Sequence, residues 1–380
     1  MSRLDNLPTS AHRNLHNVCS RTLSLAAVLS FFVFLIACSS GNKSGVVSPN
    51  ANGNPNNITG AGSTFVYPVM SRWIADYQKE NPAVRINYQS IGSGGGIQQL
   101  KKGLVDFGAS DAALTDEQLK EMPPIVQIPE SAGPVCITYN LPDIKQPLKL
   151  TPAALAGIYM GKIQSWHDAE IASANPGVKL PTTPIVVAHR SDGSGTTNIF
   201  TTYLSAVSPD WKKNIGAAIS VRWPAGLGGK GSEGVTGIVK QNPGSIGYVE
   251  LTYAEANHLP VAQIKNAAGE FVAPTAEGTT SAIQAFSDEL AKDPRVPIVN
   301  PPASAKNAYP ISGLTYLLVP KRFKNEQKGL NVRNFVQYVI TQGQSQAEKL
   351  HYAPLPESIV QLDHKMLGGS ESTPKPGASK

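Results

Sequence analysis

Arg190-Ser191-Asp192-Gly193-Ser194-Gly195-Thr196-Thr197 places one guanidinium, one carboxylate, two glycines and several hydroxyls in one short run. It lies between an apolar stretch, Ile185 to Ala188, and a helical pattern, Asn198 to Leu204. Glycine lets backbone approach a ligand closely. A helix start offers unpaired N–H groups and partial positive charge, which suits an oxyanion. Arginine adds a planar fork matched to phosphate or carboxylate. A capped helix after a turn is the plainer alternative, since Ser and Thr cap helices widely.

Two other runs share this character. Gly60-Ala61-Gly62-Ser63-Thr64-Phe65 precedes a helical pattern through Val69, Trp73, Ile74 and Tyr77. Gly92-Ser93-Gly94-Gly95-Gly96 follows an expected strand, Val84 to Ile91. Between them, Val105 to Asp111 reads as a short strand ending in a carboxylate. Three helix N-termini aimed at one point would hold a small tetrahedral anion without a lysine. The sequence alone leaves their convergence open.

The elements that must position these runs alternate. Strands are expected at 84–88, 105–107, 135–139, 185–188, 246–249 and 316–319. Helices are expected at 69–80, 96–101, 152–160, 197–206, 235–241, 281–290 and 332–342. The alternation argues for an α/β fold. In such sheets ligands bind beyond the carboxyl ends of the strands, where the glycine-rich turns fall.

Catalytic alternatives are weaker. Gly226 to Gly231 fits G-x-G-x-x-G, but it follows no convincing strand, and Gly after Lys230 argues against a P-loop. Gly193-Ser194-Gly195 lacks the spacing of a nucleophile elbow. His189 would face away from Arg190 by strand alternation. No nucleophile and base pair is evident, so no enzyme is expected. The seven histidines lack metal-like spacing, and no metal or cofactor is expected.

The ends read as targeting and tether. Arg13 and Arg21 precede an apolar stretch, Leu23 to Ala37, too short for a span of ~20 residues. This pattern predicts a secretory signal over 1–37. Leu35-Ile36-Ala37-Cys38 looks like a bacterial lipobox, with Cys38 as the lipidated first mature residue. An ordinary signal peptide or an uncleaved anchor is the alternative. Residues 38–57 read as a flexible tether and 368–380 as a disordered tail, both rich in Ser, Gly, Asn and Pro. The 33 basic and 27 acidic residues give +6. Removing 1–37 takes away Arg3, Arg13, Arg21 and Asp5 and leaves +4. No long basic run supports nucleic acid binding. Cys136, the third cysteine, reads as a buried core thiol.

Taken in order, the runs 60–65 (GAGSTF), 88–96, 105–112, 158–177, 190–196 (RSDGSGT), 223–231 and 243–250 (PGSIGYVE) resemble the phosphate-binding proteins of bacterial phosphate-specific ABC importers. The resemblance implies a type II periplasmic-binding-protein fold, two α/β lobes on a two-crossover hinge. It puts lobe 1 at 58–132 plus 308–367 and lobe 2 at 133–307. It implies that Thr64, Phe65, Ser93 and Asp111 line one face of the cleft, and Arg190, Ser194, Gly195 and Thr196 the other. Asp192 would hold Arg190 in place. Asp111 would accept the proton that HPO4²⁻ or H2PO4⁻ still carries; sulfate has none to give. A cap on the helix near Thr115 is the alternative role for Asp111. The implied partners are inorganic phosphate, the permease subunits with their ATPase, and the membrane through lipid on Cys38. The implied state is a monomer, lipid-anchored in the periplasm or cell envelope.

Overall fold

The computed structural model describes residues 53–368, which fall within one compact unit. The expected signal 1–37, the lipidation residue Cys38, most of the tether and the tail beyond Gly368 lie outside the described residues.

Eight strands form the main sheet: β1 (Asn57–Gly62), β2 (Arg85–Ser90), β3 (Phe107–Ser110), β4 (Ile125–Tyr139), β5 (Val186–Arg190), β6 (Leu227–Gly229), β7 (Ser245–Glu250) and β8 (Ser312–Pro320). Their order is β2-β1-β3-β8-β4-β7-β5-β6. β1 runs parallel to β2 and β3, and β5 runs parallel to β7 and β6. The long strand β4 joins the two parallel groups. It pairs antiparallel with β8 from Ile125 to Pro134, then antiparallel with β7 from Val135 to Tyr139. The expected α/β architecture is therefore present as two halves sharing β4.

Six helices matter for the argument: α1 (Tyr67–Glu80), α2 (Ser93–Lys101), α3 (Asp116–Lys120), α4 (Gly195–Val207), α5 (Gly231–Gln241) and α6 (Glu357–Met366). α1 buries Val69, Met70, Trp73 and Tyr77, a stripe of helical period. Trp73 is fully buried, and its indole N–H donates to Gly343 O at 2.7 Å. Burying each such side chain contributes ~1.5–3 kcal/mol. Cys136 is a free, buried thiol, as expected.

Some boundaries differ from the sequence reading. β4 spans fifteen residues, of which only 135–139 was expected. β1 was not expected as a strand. The helix expected at 281–290 is interrupted at Phe286.

Candidate functional site

The site is built where β1, β2, β3, β5 and β6 end. After β1 the chain turns through Ser63 to Val66 into α1. After β2 it turns through Gly92 into α2. β5 runs through Asp192 and Gly193 into α4, and β6 runs through Lys230 into α5. Helix starts from both halves thus face each other. Gly94 N donates to Gly193 O at 2.9 Å. Gly195 N donates to Ser93 Oγ at 3.0 Å. Thr64 Oγ1 and Ser232 Oγ lie 2.8 Å apart, and the Tyr253 hydroxyl donates to Thr64 O at 2.6 Å.

Glycine is required where the halves touch. A Cβ on Gly195 would sit 2.6 Å from Asp111 N. Gly92 holds φ +83°, and a Cβ there would strike Asp192 Oδ2.

The eight residues implied as ligand-binding come together, and all are buried. Asp111 lies at the centre. Its Oδ1 accepts from the Ser63 hydroxyl and from Thr315 Oγ1 at 3.2 Å. Its Oδ2 accepts from Thr196 Oγ1 at 3.4 Å, and its own N–H donates to Ser93 Oγ at 3.3 Å. Burial raises the Asp111 carboxyl; the Ser63 bond, the Arg190 charge and the Thr315 and Thr196 bonds lower it, leaving it at about 6. Thr115, not Asp111, caps α3, in a capping box with Gln118.

Arg190 is held by its neighbours. Its Nε donates to Asp192 Oδ1 at 2.7 Å and its Nη2 to Asp192 Oδ2 at 2.5 Å. Gly231 N donates to the same Asp192 Oδ1 at 3.0 Å. Burial raises the Asp192 carboxyl, but the bonds and charge of Arg190 outweigh it and hold the group below the ordinary range. The Tyr248 hydroxyl accepts from Arg190 N at 3.1 Å and lies 2.7 Å from Thr197 Oγ1, which ties the turn to β7. Ser194 Oγ accepts from Thr197 N at 3.0 Å and caps α4, leaving its proton free to donate. Among the described residues, the amides of Phe65 and Thr196 have no acceptor. The Phe65 ring stands edge-on to Tyr352, 6.0 Å between centroids.

One arginine and two carboxylates give the site no positive excess. Attraction for an anion must come from N–H and O–H dipoles fixed in a buried place. His189 takes no part: its ring stacks on Trp223 at 4.9 Å, and Nδ1 lies 3.0 Å from Arg190 O.

The model of the PBP superfamily domain matches residues 49–342. The phosphate-binding protein PstS of Xylella fastidiosa (strain Temecula1) is 46% identical over 304 residues, covering 80% of this chain and 82% of that protein. The chain belongs to the PstS family of phosphate-binding proteins. PstS of Haemophilus influenzae is 42% identical, covering 80% of this chain and 90% of its own. The fold agrees with the solved structure of a high affinity periplasmic phosphate-binding protein, with a TM-score of 0.66 at 23% identity over 81% of this chain and 93% of that one. The fold is thus the type II periplasmic-binding-protein fold, two α/β lobes on a two-crossover hinge.

Several residues at the site of this PstS-family chain escaped the sequence reading. Ser63 stands in the flagged run beside Thr64 but was given no role, and its hydroxyl donates to Asp111. Thr315 lies inside an apolar strand, 204 positions from Asp111. Ser232 opens α5, and its N–H donates to Thr64 Oγ1 at 3.2 Å. The glycine run at 226–231, set aside as a weak nucleotide motif, is the approach to that fourth helix start. The repeated pattern of strand, glycine, hydroxyl and helix was the available signal.

Proposed function

We propose that the chain is an extracytoplasmic receptor of an ABC phosphate importer, which holds HPO4²⁻ or H2PO4⁻ between its lobes and passes it to the permease. One observation carries the reading: a buried carboxylate, Asp111, sits among hydroxyl and amide donors beside Arg190. A carboxylate there is costly for a ligand that only accepts hydrogen bonds. It is useful for one that also donates.

In this reading Thr64, Phe65, Ser93, Ser194 and Thr196 donate through hydroxyls or amides, the Gly195 amide exchanges its bond to Ser93 Oγ for one to the ligand, and Arg190 supplies charge-assisted bonds. Asp111 takes the ligand's proton, and Asp192 orients Arg190. The lobes run over 58–132 plus 308–367 and over 133–307; the change of partner on β4 at Pro134 and Val135 supports the first boundary. Closure is a hinge motion of the lobes about β4 and β8. The receptor works as a monomer, held at the membrane by lipid on Cys38 after removal of 1–37. No step of bond breaking is assigned.

Equilibrium dialysis with labelled phosphate tests the reading. Unlabelled phosphate should displace the label and excess sulfate should not. Equal displacement by both would refute it. The mass of the mature N-terminus tests the anchor: it should begin at Cys38 and carry acyl chains, and an unmodified start elsewhere would remove that part.

A further inference from the structure

Behind Asp111 lies a second buried carboxyl, Glu130, which the receptor reading does not use. It stands at a β-bulge. On β4, Ser131 pairs with Thr315 and Pro129 pairs with Tyr316, so Glu130 is the extra residue between them. A bulge re-aims a side chain, and here Glu130 points at the site. Thr315 Oγ1 lies 3.1 Å from Glu130 Oε1 and 3.2 Å from Asp111 Oδ1. A threonine hydroxyl has one proton. Two ionised carboxylates cannot both receive it, and the loser would face an oxygen lone pair in a dry interior. One carboxyl must therefore carry a proton. Asp111 has Ser63 and Thr196 as further donors and the Arg190 charge nearby. Glu130 Oε2 has no partner among the described residues, and the residue is fully buried.

We propose that Glu130 is a positioning residue that carries a proton whenever phosphate is bound, donates to Thr315, and so turns the Thr315 hydroxyl toward Asp111, leaving Asp111 Oδ2 to accept the proton of the bound ligand. The inference rests on the phosphate-receptor reading. Ionising Glu130 would remove the donor that orients Thr315. It would also add a second negative charge beside a dianion. Phosphate binding is then coupled to the Glu130 proton. Burial and the nearby Asp111 charge raise the Glu130 carboxyl, the Thr315 bond lowers it, and the balance lies at about 8. The other titratable or charged groups facing this corner are Tyr88, whose phenol is pushed well above its usual range by burial, and Arg190 through Asp111.

Calorimetric titration of the full chain with inorganic phosphate, one pH unit above the Glu130 value, tests this. Phosphate and Asp111 have by then lost the protons that titrate near neutrality, so their charges no longer change with pH. Runs in two buffers of different ionisation enthalpy count the protons exchanged. The expected result is uptake approaching one proton per phosphate, with Kd rising roughly tenfold per pH unit in this range. E130Q, which keeps an N–H donor toward Thr315, should take up no proton and flatten the profile. Glu250 and Asp363 titrate in the same range without facing the ligand, so the E130Q comparison separates them. Phosphate binding in the unaltered chain with no proton uptake and an unchanged Kd over the whole range from neutral pH to the alkaline limit of folding, a count that needs no variant, would overturn this inference alone. An E130Q profile identical to the parent would do the same. Absence of phosphate binding at every pH would overturn the receptor reading and this inference with it.

Discussion

Replacing Asp111 with Asn removes one charge and exchanges an acceptor for a donor at nearly constant shape. Oδ1 can still accept from Ser63 and Thr315. The new amide group replaces Oδ2, where Thr196 now donates and where the ligand's proton would be received. A hydrogen bond to a charged group contributes about 1.5–3 kcal/mol, and about 1.4 kcal/mol is a tenfold change in affinity. D111N should therefore weaken phosphate binding by roughly ten- to a hundredfold. Sulfate should gain, since a donor replaces the acceptor that opposed it. The phosphate-to-sulfate ratio measured by calorimetry should fall by at least the loss seen for phosphate.

Stability should move the other way. The folded Asp111 carboxyl sits at about 6 against 3.8 for the ordinary side chain. A raised value means stability that is present below the ordinary value and lost as pH rises through about 6. At neutral pH the ionised group is a burden that Asn lacks, by at most ~1.4 kcal/mol for each unit of the shift. Ligand-free D111N should therefore melt no lower than the parent at neutral pH. An unchanged anion ratio would refute the reasoning. So would a ratio change accompanied by a large fall in melting temperature, because the loss would then be structural.

Two further outcomes follow. G195A places a methyl group 2.6 Å from Asp111 N, so the halves must part to admit it. Overpacking of this kind costs ~1–3 kcal/mol, and phosphate affinity should fall about tenfold or more; affinity within twofold of the parent would contradict the close approach. Asp363 on α6 is buried with both carboxyl oxygens unpartnered among the described residues, and burial raises it to about 8. Its stability contribution is present below about 4 and lost as pH rises through about 8. D363N should raise the melting temperature by a few degrees at the alkaline end and leave it nearly unchanged at the acid end; an equal shift at both ends would point to packing instead.

The parts of the fold legible in the sequence were those with strong local signals. β5 and β7 carry β-branched and apolar residues between turn signals, and α1 shows its apolar stripe. β1, Asn57–Gly62, was missed because its strand-favouring pair Ile58 and Thr59 is followed by Gly60, Ala61 and Gly62, which are depleted in strands. Its burial allows those small residues: a Cβ on Gly60 would collide with the Phe107 ring. The first half of β4 was missed because Pro129, Gly133 and Pro134 interrupt the pattern, and Glu130 adds a charge to a buried strand. There the bulge and the pairing with β8 override local preference.

The site followed the same division. Thr64, Ser93, Arg190, Ser194, Gly195 and Thr196 lie at helix starts whose composition advertises them. Thr315, Glu130 and Tyr253 reach the site as single side chains from strands or helices whose other residues serve the core. Nothing adjacent to them in the chain signals an anion site, because their roles arise from pairing across the sheet and between the halves.

The central claim is that the cleft selects a protonated tetrahedral anion. Calorimetric titration of the unaltered chain, first stripped of bound anion by unfolding and refolding, addresses it most directly. With phosphate, the account predicts tight binding at one per chain; with sulfate at the same concentration, it predicts negligible heat. Comparable binding of both anions would contradict the role given to Asp111, and binding of neither would contradict the receptor itself.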